Sequence, residues 1–215
     1  MEVIYQDNVL LVFNKPSALL SVPGRGPDKQ DCLSARVQAL WPDALIVHRL
    51  DYDTSGIILM ARGIESQRLL NRAFETRQVH KRYVAVVDGV LEAAPDSEDG
   101  WGLIDLPLCL DWENRPLHIV DHQAGKPSRT RWRPYPPGEV GGAPATRVDL
   151  EPITGRSHQL RVHLQALGHP ILGDTLYASA AAQARAERLL LHACELSLIH
   201  PIRRVPLTFH SPAPF

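Results

Sequence analysis

The chain has 215 residues, 44% of them hydrophobic and 22% charged, with a formal net charge of −1 and three cysteines. One domain spanning 1–215 is expected, because the apolar share suffices for a core and no Ser/Gly-rich linker divides the chain. No apolar run approaches the roughly 20 residues that cross a bilayer, and no signal peptide is visible. Cys32, Cys109 and Cys194 are odd in number and far apart, which argues against a disulfide framework or a CxxC metal site and fits free thiols in a reducing cytoplasm.

In chain order, Val3 to Phe13 reads as a strand, a polar turn and a second strand. Ala44-Leu45-Ile46-Val47 and Ile57-Ile58-Leu59-Met60-Ala61 read as two short buried strands within 44–61. Between them lies the most informative stretch, His48-Arg49-Leu50-Asp51-Tyr52-Asp53-Thr54-Ser55-Gly56. It sets a carboxylate beside a cation in a connection, where reactive groups tend to sit on a rigid frame. Asp53 to Gly56 are turn-forming residues. Taken alone, the segment is either a site built on Asp51 or a structural turn. A helix is expected at 65–76, with Leu69, Leu70, Ala73 and Phe74 as its apolar stripe. Further strands near 82–90, 128–133 and 146–151, and helices near 157–167 and 180–190, make the pattern α+β.

The charge is unevenly spread. Residues 88–113 hold Asp88, Glu92, Asp96, Glu98, Asp99, Asp105, Asp111 and Glu113 and no Lys or Arg, so the remaining residues carry a net +7. Three places gather it: Arg77 to Arg82, Lys126 to Arg133, and Gly155 to Leu164. In the second, alternation puts Arg129, Arg131 and Arg133 on one face of a strand. Each cluster alone is compatible with a solvated face; three in so small a chain point to phosphate contacts and RNA. In the third, Ser157 is the expected N-cap of a short helix, with Leu160, Leu164 and Leu167 on its apolar stripe and Gly168 and Pro170 as its stop. His158, Arg161 and Gln165 share the opposite stripe, and Arg156 precedes the helix N-terminus, where backbone amides favour an anion. His158 and His163, five residues apart, do not face one metal.

The ninefold segment from His48 to Gly56, the Asn14-Lys15-Pro16-Ser17 entry, Lys81-Arg82-Tyr83-Val84-Ala85, the stretch Gly155 to His163 and Leu189-Leu190-Leu191-His192-Ala193 occur in the order seen in RluA-type pseudouridine synthases. The chain resembles that family over nearly its whole length. It is most similar to the short dual-specificity members acting on large-subunit ribosomal RNA and the transfer-RNA anticodon stem-loop, and the S4-like N-terminal domain of longer relatives is not expected. Two departures stand out: Ala18 where the family often has Gly, and a Pro/Gly-rich stretch at 134–145. The resemblance implies a pseudouridine-synthase fold, a mixed, largely antiparallel bent sheet with flanking helices and a central RNA-binding cleft.

It also implies roles. Asp51 is the catalytic carboxylate, by covalent attack or by abstracting a sugar proton; both routes stay open. Arg161 resembles the cation that pairs with this acid, so its loss is expected to damage catalysis more than folding. Tyr83 matches a tyrosine that stacks on the flipped base. Arg49 resembles the arginine that fills the space the base leaves. Leu190 or Leu191 walls the base pocket, and His48, Arg156, His158, Arg129 and Arg131 complete the substrate contacts. No GxxxxGK[ST] loop and no GxGxxG after a strand occurs, so no cofactor and no metal is expected, nor DNA, a membrane or a stable oligomer. Two rivals are an idle RNA-binding module, which leaves Asp51 without a purpose, and a nucleoside hydrolase, which leaves the basic clusters without one.

Overall fold

A computed structural model describes residues 2–94, 97 and 99–215; Asp96 and Glu98 of the acidic stretch lie outside the described residues. In chain order the elements begin with β1 (Glu2–Gln6), β2 (Leu10–Lys15), α1 (Leu33–Gln38), β3 (Ala44–Ile46), β4 (Ser55–Arg62), α2 (Gly63–Glu75) and β5 (His80–Asp88). Then come β6 (Gly102–Asp105), β7 (Leu108–Leu110), β8 (His118–Val120), β9 (Arg129–Pro134), β10 (Gly138–Val140) and β11 (Ala143–Pro152). The last are α3 (Gln159–Ala166), α4 (Ala180–Gln183), β12 (Leu191–Ile199) and β13 (Pro206–His210). The fold is α+β, as the pattern indicates, and no described helix is long and apolar enough to cross a membrane. The chain packs as two compact units: residues up to Lys81 with His192–Pro214, and Arg82–Leu191 with Phe215.

In the first unit β4 is the central strand. It pairs antiparallel with β2 and β3 and parallel with β12, while β1 and β13 pair antiparallel with β2 and β12. Ser55 to Ala61 are all buried, so β4 is covered on both faces and has no polar side to alternate with, which explains its unbroken apolar run. Gly56 takes φ +110°, and a Cβ there would lie 2.3 Å from the Ala193 carbonyl oxygen. Only glycine lets β12 approach this closely. Helix α2 lays Leu70, Ala73 and Phe74 on the core with Ile57 and Leu59, whereas Leu69 is exposed, so the stripe is narrower than the sequence suggests.

The second unit is an antiparallel sheet in which β11 pairs with β5, β9 and β10, and β6 pairs with β9. Thr130 and Trp132 of β9 and Val148 and Leu150 of β11 are buried, with Leu160 and Leu164 of α3 in the same core cluster as all but Thr130. Strands β7 and β8 form a separate hairpin.

The N-cap of α3 is His158 at φ 54°, without a side-chain cap bond, instead of Ser157. The supposed polar stripe is not exposed at Arg161, because Gln159 through Leu164 are all buried. The helix expected over 180–190 is the four residues of α4 alone. Leu189, Leu190 and Leu191 are three consecutive buried residues, which no single helix face accommodates, and an extended segment does: Leu190 donates its N–H to the Leu172 carbonyl and accepts from the Val86 N–H.

The acidic stretch folds back onto the arginines. Asp99 pairs with Arg131, Asp105 with Arg129 and Asp88 with Arg185, while Arg131 and Arg133 also bond Glu151 and Asp149 of the neighbouring β11. Arg129, Arg131 and Arg133 do share one face of β9, but it is a face already matched in charge, not a bare cationic one.

Candidate active site

Asp51 sits between β3 and β4, half-buried, in a segment without regular structure. The loop owes its shape to residues 15–21. Lys15 is fully buried and its Nζ donates to the carbonyls of Leu19 (2.7 Å), Pro16 (3.0 Å) and Tyr52 (3.1 Å), a geometry that uses all three ammonium protons. The Ser17 hydroxyl donates to the Asp53 carbonyl at 2.7 Å, and the Ser21 hydroxyl donates to the Leu50 carbonyl while accepting from the Leu50 N–H. The Leu19 N–H donates to the Tyr52 carbonyl. The backbone on both sides of Asp51 is thus fastened by carbonyl and amide bonds. Within its unit the Asp51 carboxylate takes no hydrogen bond or ion pair among the described residues, and Arg49 stands exposed beside it. At the far end of the loop Ser55 Oγ lies 2.8 Å from Nδ1 of buried His192, whose Nε2 meets Ser211. Such an arrangement fixes the backbone that carries the Asp51 carboxylate without bonding the carboxylate itself within that unit.

Ala18 belongs to this clamp and adopts φ 56°, the left-handed region. The loop therefore keeps a glycine-type turn with alanine in it, at a cost of about 1–2 kcal/mol. Ala18→Gly is expected to raise stability by several tenths to ~1 kcal/mol, the gain being reduced by the extra freedom of glycine in the unfolded chain. Denaturant midpoints at constant slope measure it; an unchanged or lowered midpoint would contradict the strain.

His48 has a structural position. Its Nε2 accepts the Leu59 N–H at 2.8 Å, and its ring stacks on Phe74 at 4.7 Å. Burial, with a smaller push from Lys81, lowers its pKa to about 3, so the ring is neutral at physiological pH and offers a phosphate no charge. In the unfolded chain it takes a proton below about 6.5. Stability is therefore full above pH ~6.5 and falls by up to ~1.4 kcal/mol per pH unit as pH drops toward about 3. His163, also lowered by burial, adds in the same direction. Urea unfolding at pH 7, 6, 5 and 4 should show this slope, and His48→Gln should flatten it by about one proton; equal slopes would remove His48 from that role.

The other expected residues lie in the second unit. Tyr83, on β5, is half-buried against its core cluster, opposite Leu150 of β11. Leu190 and Leu191 are buried in that cluster, and Arg156 is exposed ahead of α3. Arg161 makes a bidentate pair with Asp174 (Nε to Oδ2 2.8 Å, Nη2 to Oδ1 2.6 Å), both side chains almost wholly buried, and its guanidinium lies 5.0 Å from the Tyr177 ring centroid. Asp174 Oδ1 also accepts the N–H groups of Leu176 and Tyr177. The Tyr177 hydroxyl lies 2.6 Å from His158 Nδ1 and accepts the His118 N–H. Sequence reasoning missed Ser21, Asp174 and Tyr177 and gave Lys15 no role of its own. Asp174 is thirteen residues from Arg161 in a loop, and no periodicity links them; Lys15 is conspicuous only as a lysine following a run of apolar strand residues.

The loop is thus fastened on both sides of Asp51, whose carboxylate takes no hydrogen bond or ion pair among the described residues of its unit. A family model described as RNA pseudouridylate synthase matches residues 9–166. Dual-specificity RNA pseudouridine synthase RluA of Escherichia coli (strain K12) is 49% identical over 213 residues, covering 99% of this chain and 93% of that protein. The Yersinia pestis protein of that name is 49% identical over 215 residues and the full length of both. Among solved structures, human RNA Pseudouridylate Synthase Domain Containing 1 superposes with a TM-score of 0.80 at 29% identity, over 100% of this chain and 84% of that one. The chain belongs to the RNA pseudouridylate synthase family, isomerases that act on RNA.

Proposed function

We propose that this chain isomerises specific uridines in large-subunit ribosomal RNA and in the transfer-RNA anticodon stem-loop, with Asp51 as the catalytic carboxylate acting on a flipped nucleotide in the cytoplasm. The dual specificity in the names of relatives matched over nearly the full chain supports the substrate choice. The observation that carries the catalytic role is the clamp: Lys15, Ser17 and Ser21 fix the backbone of Leu50, Tyr52 and Asp53 and leave the acid between them available.

Isomerisation breaks the C1′–N1 bond, turns the uracil in place and joins C5 to C1′, with the C5 proton lost and N1 protonated. Neither a redox partner nor net water enters. Asp51 serves either as nucleophile or as base toward the sugar, and Tyr83 stacks on the base. Arg49 enters the space the base leaves. Exposed Arg156, ahead of α3, is the cation best placed to meet a phosphate. Arg129 and Arg131 reach phosphates only by exchanging their carboxylate partners.

The test is incubation with total RNA from a strain lacking the gene, followed by mapping of new carbodiimide-dependent reverse-transcription stops. Stops at one ribosomal and one transfer-RNA uridine are expected. Stops in one class only would reduce the specificity to that class, and release of free uracil would identify a hydrolase.

A further inference from the structure

Two tryptophans in the Arg82–Leu191 unit have guanidinium partners, and they stand in opposite situations. Trp101 lies within 5.7 Å of Arg82 and 4.9 Å of both Arg131 and Arg133, which are themselves bonded to Asp99, Asp149 and Glu151. Its ring is consumed inside a charge-matched network. Trp112 is 69% exposed, more than any other large hydrophobic among the described residues, and the Arg115 guanidinium lies 5.0 Å from its ring centroid.

The position of Trp112 is built. It lies in the turn joining β7 to β8, where Asp111 Oδ1 accepts the N–H groups of Glu113 and Asn114 and Oδ2 accepts from the Asn114 side chain. The Asp111 N–H donates to the Leu117 carbonyl and the Leu117 N–H to that of Asn114. The stem is anchored as well: the His118 N–H donates to the Tyr177 hydroxyl, and Leu108 packs with Tyr177 and Val162. The bracing fixes the indole with the Arg115 guanidinium beside it, so the hairpin presents an ordered aromatic and cationic pair to solvent.

The geometry points to a stacking contact: we propose that Trp112, backed by Arg115, takes the face of an unpaired base of the RNA substrate, outside the nucleotide that is isomerised. This rests on the chain acting on RNA. An aromatic plane with an adjacent guanidinium suits a nucleobase, since every base offers a π-face and arginine both stacks and donates hydrogen bonds. The flanking Asp111 and Glu113 carboxylates disfavour a phosphate at the same spot. The contact is accordingly a base contact whose strength depends little on salt.

Steady-state kinetics and binding of Trp112→Ala and Trp112→Phe on a stem-loop RNA carrying a substrate uridine test this. For Trp112→Ala, KM and Kd should rise roughly five- to a hundredfold, the range equivalent to losing one stacked base. Its kcat should stay within about twofold, and log Kd against log salt should keep the wild-type slope. Trp112→Phe should recover most of the loss. Tryptophan fluorescence should be quenched on RNA binding in the wild type and in Asp51→Asn, and that Trp112-dependent quenching should vanish in Trp112→Ala. Wild-type KM and quenching in Trp112→Ala, or a loss confined to kcat, would overturn the contact while leaving the isomerase reading intact. A wild-type protein that forms no pseudouridine in any RNA would instead sink the reading on which the contact rests.

Discussion

Asp51→Asn is expected to lower isomerisation by at least about 10²-fold while leaving RNA affinity within a few-fold and the fold unchanged. The substitution keeps the shape of the side chain and removes only its ability to attack or to take a proton. Because the carboxylate takes no hydrogen bond or ion pair among the described residues of its unit, no native contact there is lost. The loop carbonyls of Leu50, Tyr52 and Asp53 keep their partners in Ser21, Lys15 and Ser17. Phosphate contacts dominate RNA affinity, so binding survives. Single-turnover assays on a transcribed stem-loop, with filter binding on the same RNA, measure both. Turnover within tenfold of the wild type would remove Asp51 from the chemistry.

Asp174→Asn should destabilise the protein by about 3–5 kcal/mol, enough to consume much of the stability of a chain this size. Arg161 and Asp174 are 3% and 0% exposed, and the amide leaves a buried guanidinium without its counter-charge. Arg161→Met acts from the other side, stranding a buried carboxylate that still accepts two backbone N–H groups. The sequence alone suggests that Arg161→Met harms catalysis more than folding. With Arg161 in a buried pair, the expected order is the other way, with folding damaged first. The double variant Arg161→Met/Asp174→Asn separates the roles, because removing both charges is expected to recover most of the stability, the asparagine carbonyl still serving Leu176 and Tyr177. Should its stability return while activity stays lost, Arg161 acts in the reaction as well as in the core. If activity returns with stability, its part is structural. Thermal melts and pseudouridine assays on the three variants decide.

Much of this molecule is written locally. The β1–β2 hairpin, the continuous apolar β4 and helix α2 follow from periodicities of two and 3.6 and from runs of Ile and Leu that need neighbours on both faces. The placement of Asp51 in a connection was legible because turn residues bracket it between two apolar strands. What the sequence could not supply were bonds between residues distant along the chain. Lys15 clamps Tyr52 across 37 residues. Arg161 turns away from solvent because Asp174 neutralises it within the core. The arginines of β9 look like a phosphate-binding row until Asp99, Asp105, Asp149 and Glu151 arrive from other segments to match them. The sequence by itself determined the family, the α+β class and the identity of the candidate acid. Tertiary structure alone decided which charges are spent inside the protein, since burial and charge pairing are properties of neighbours in space that no local pattern encodes.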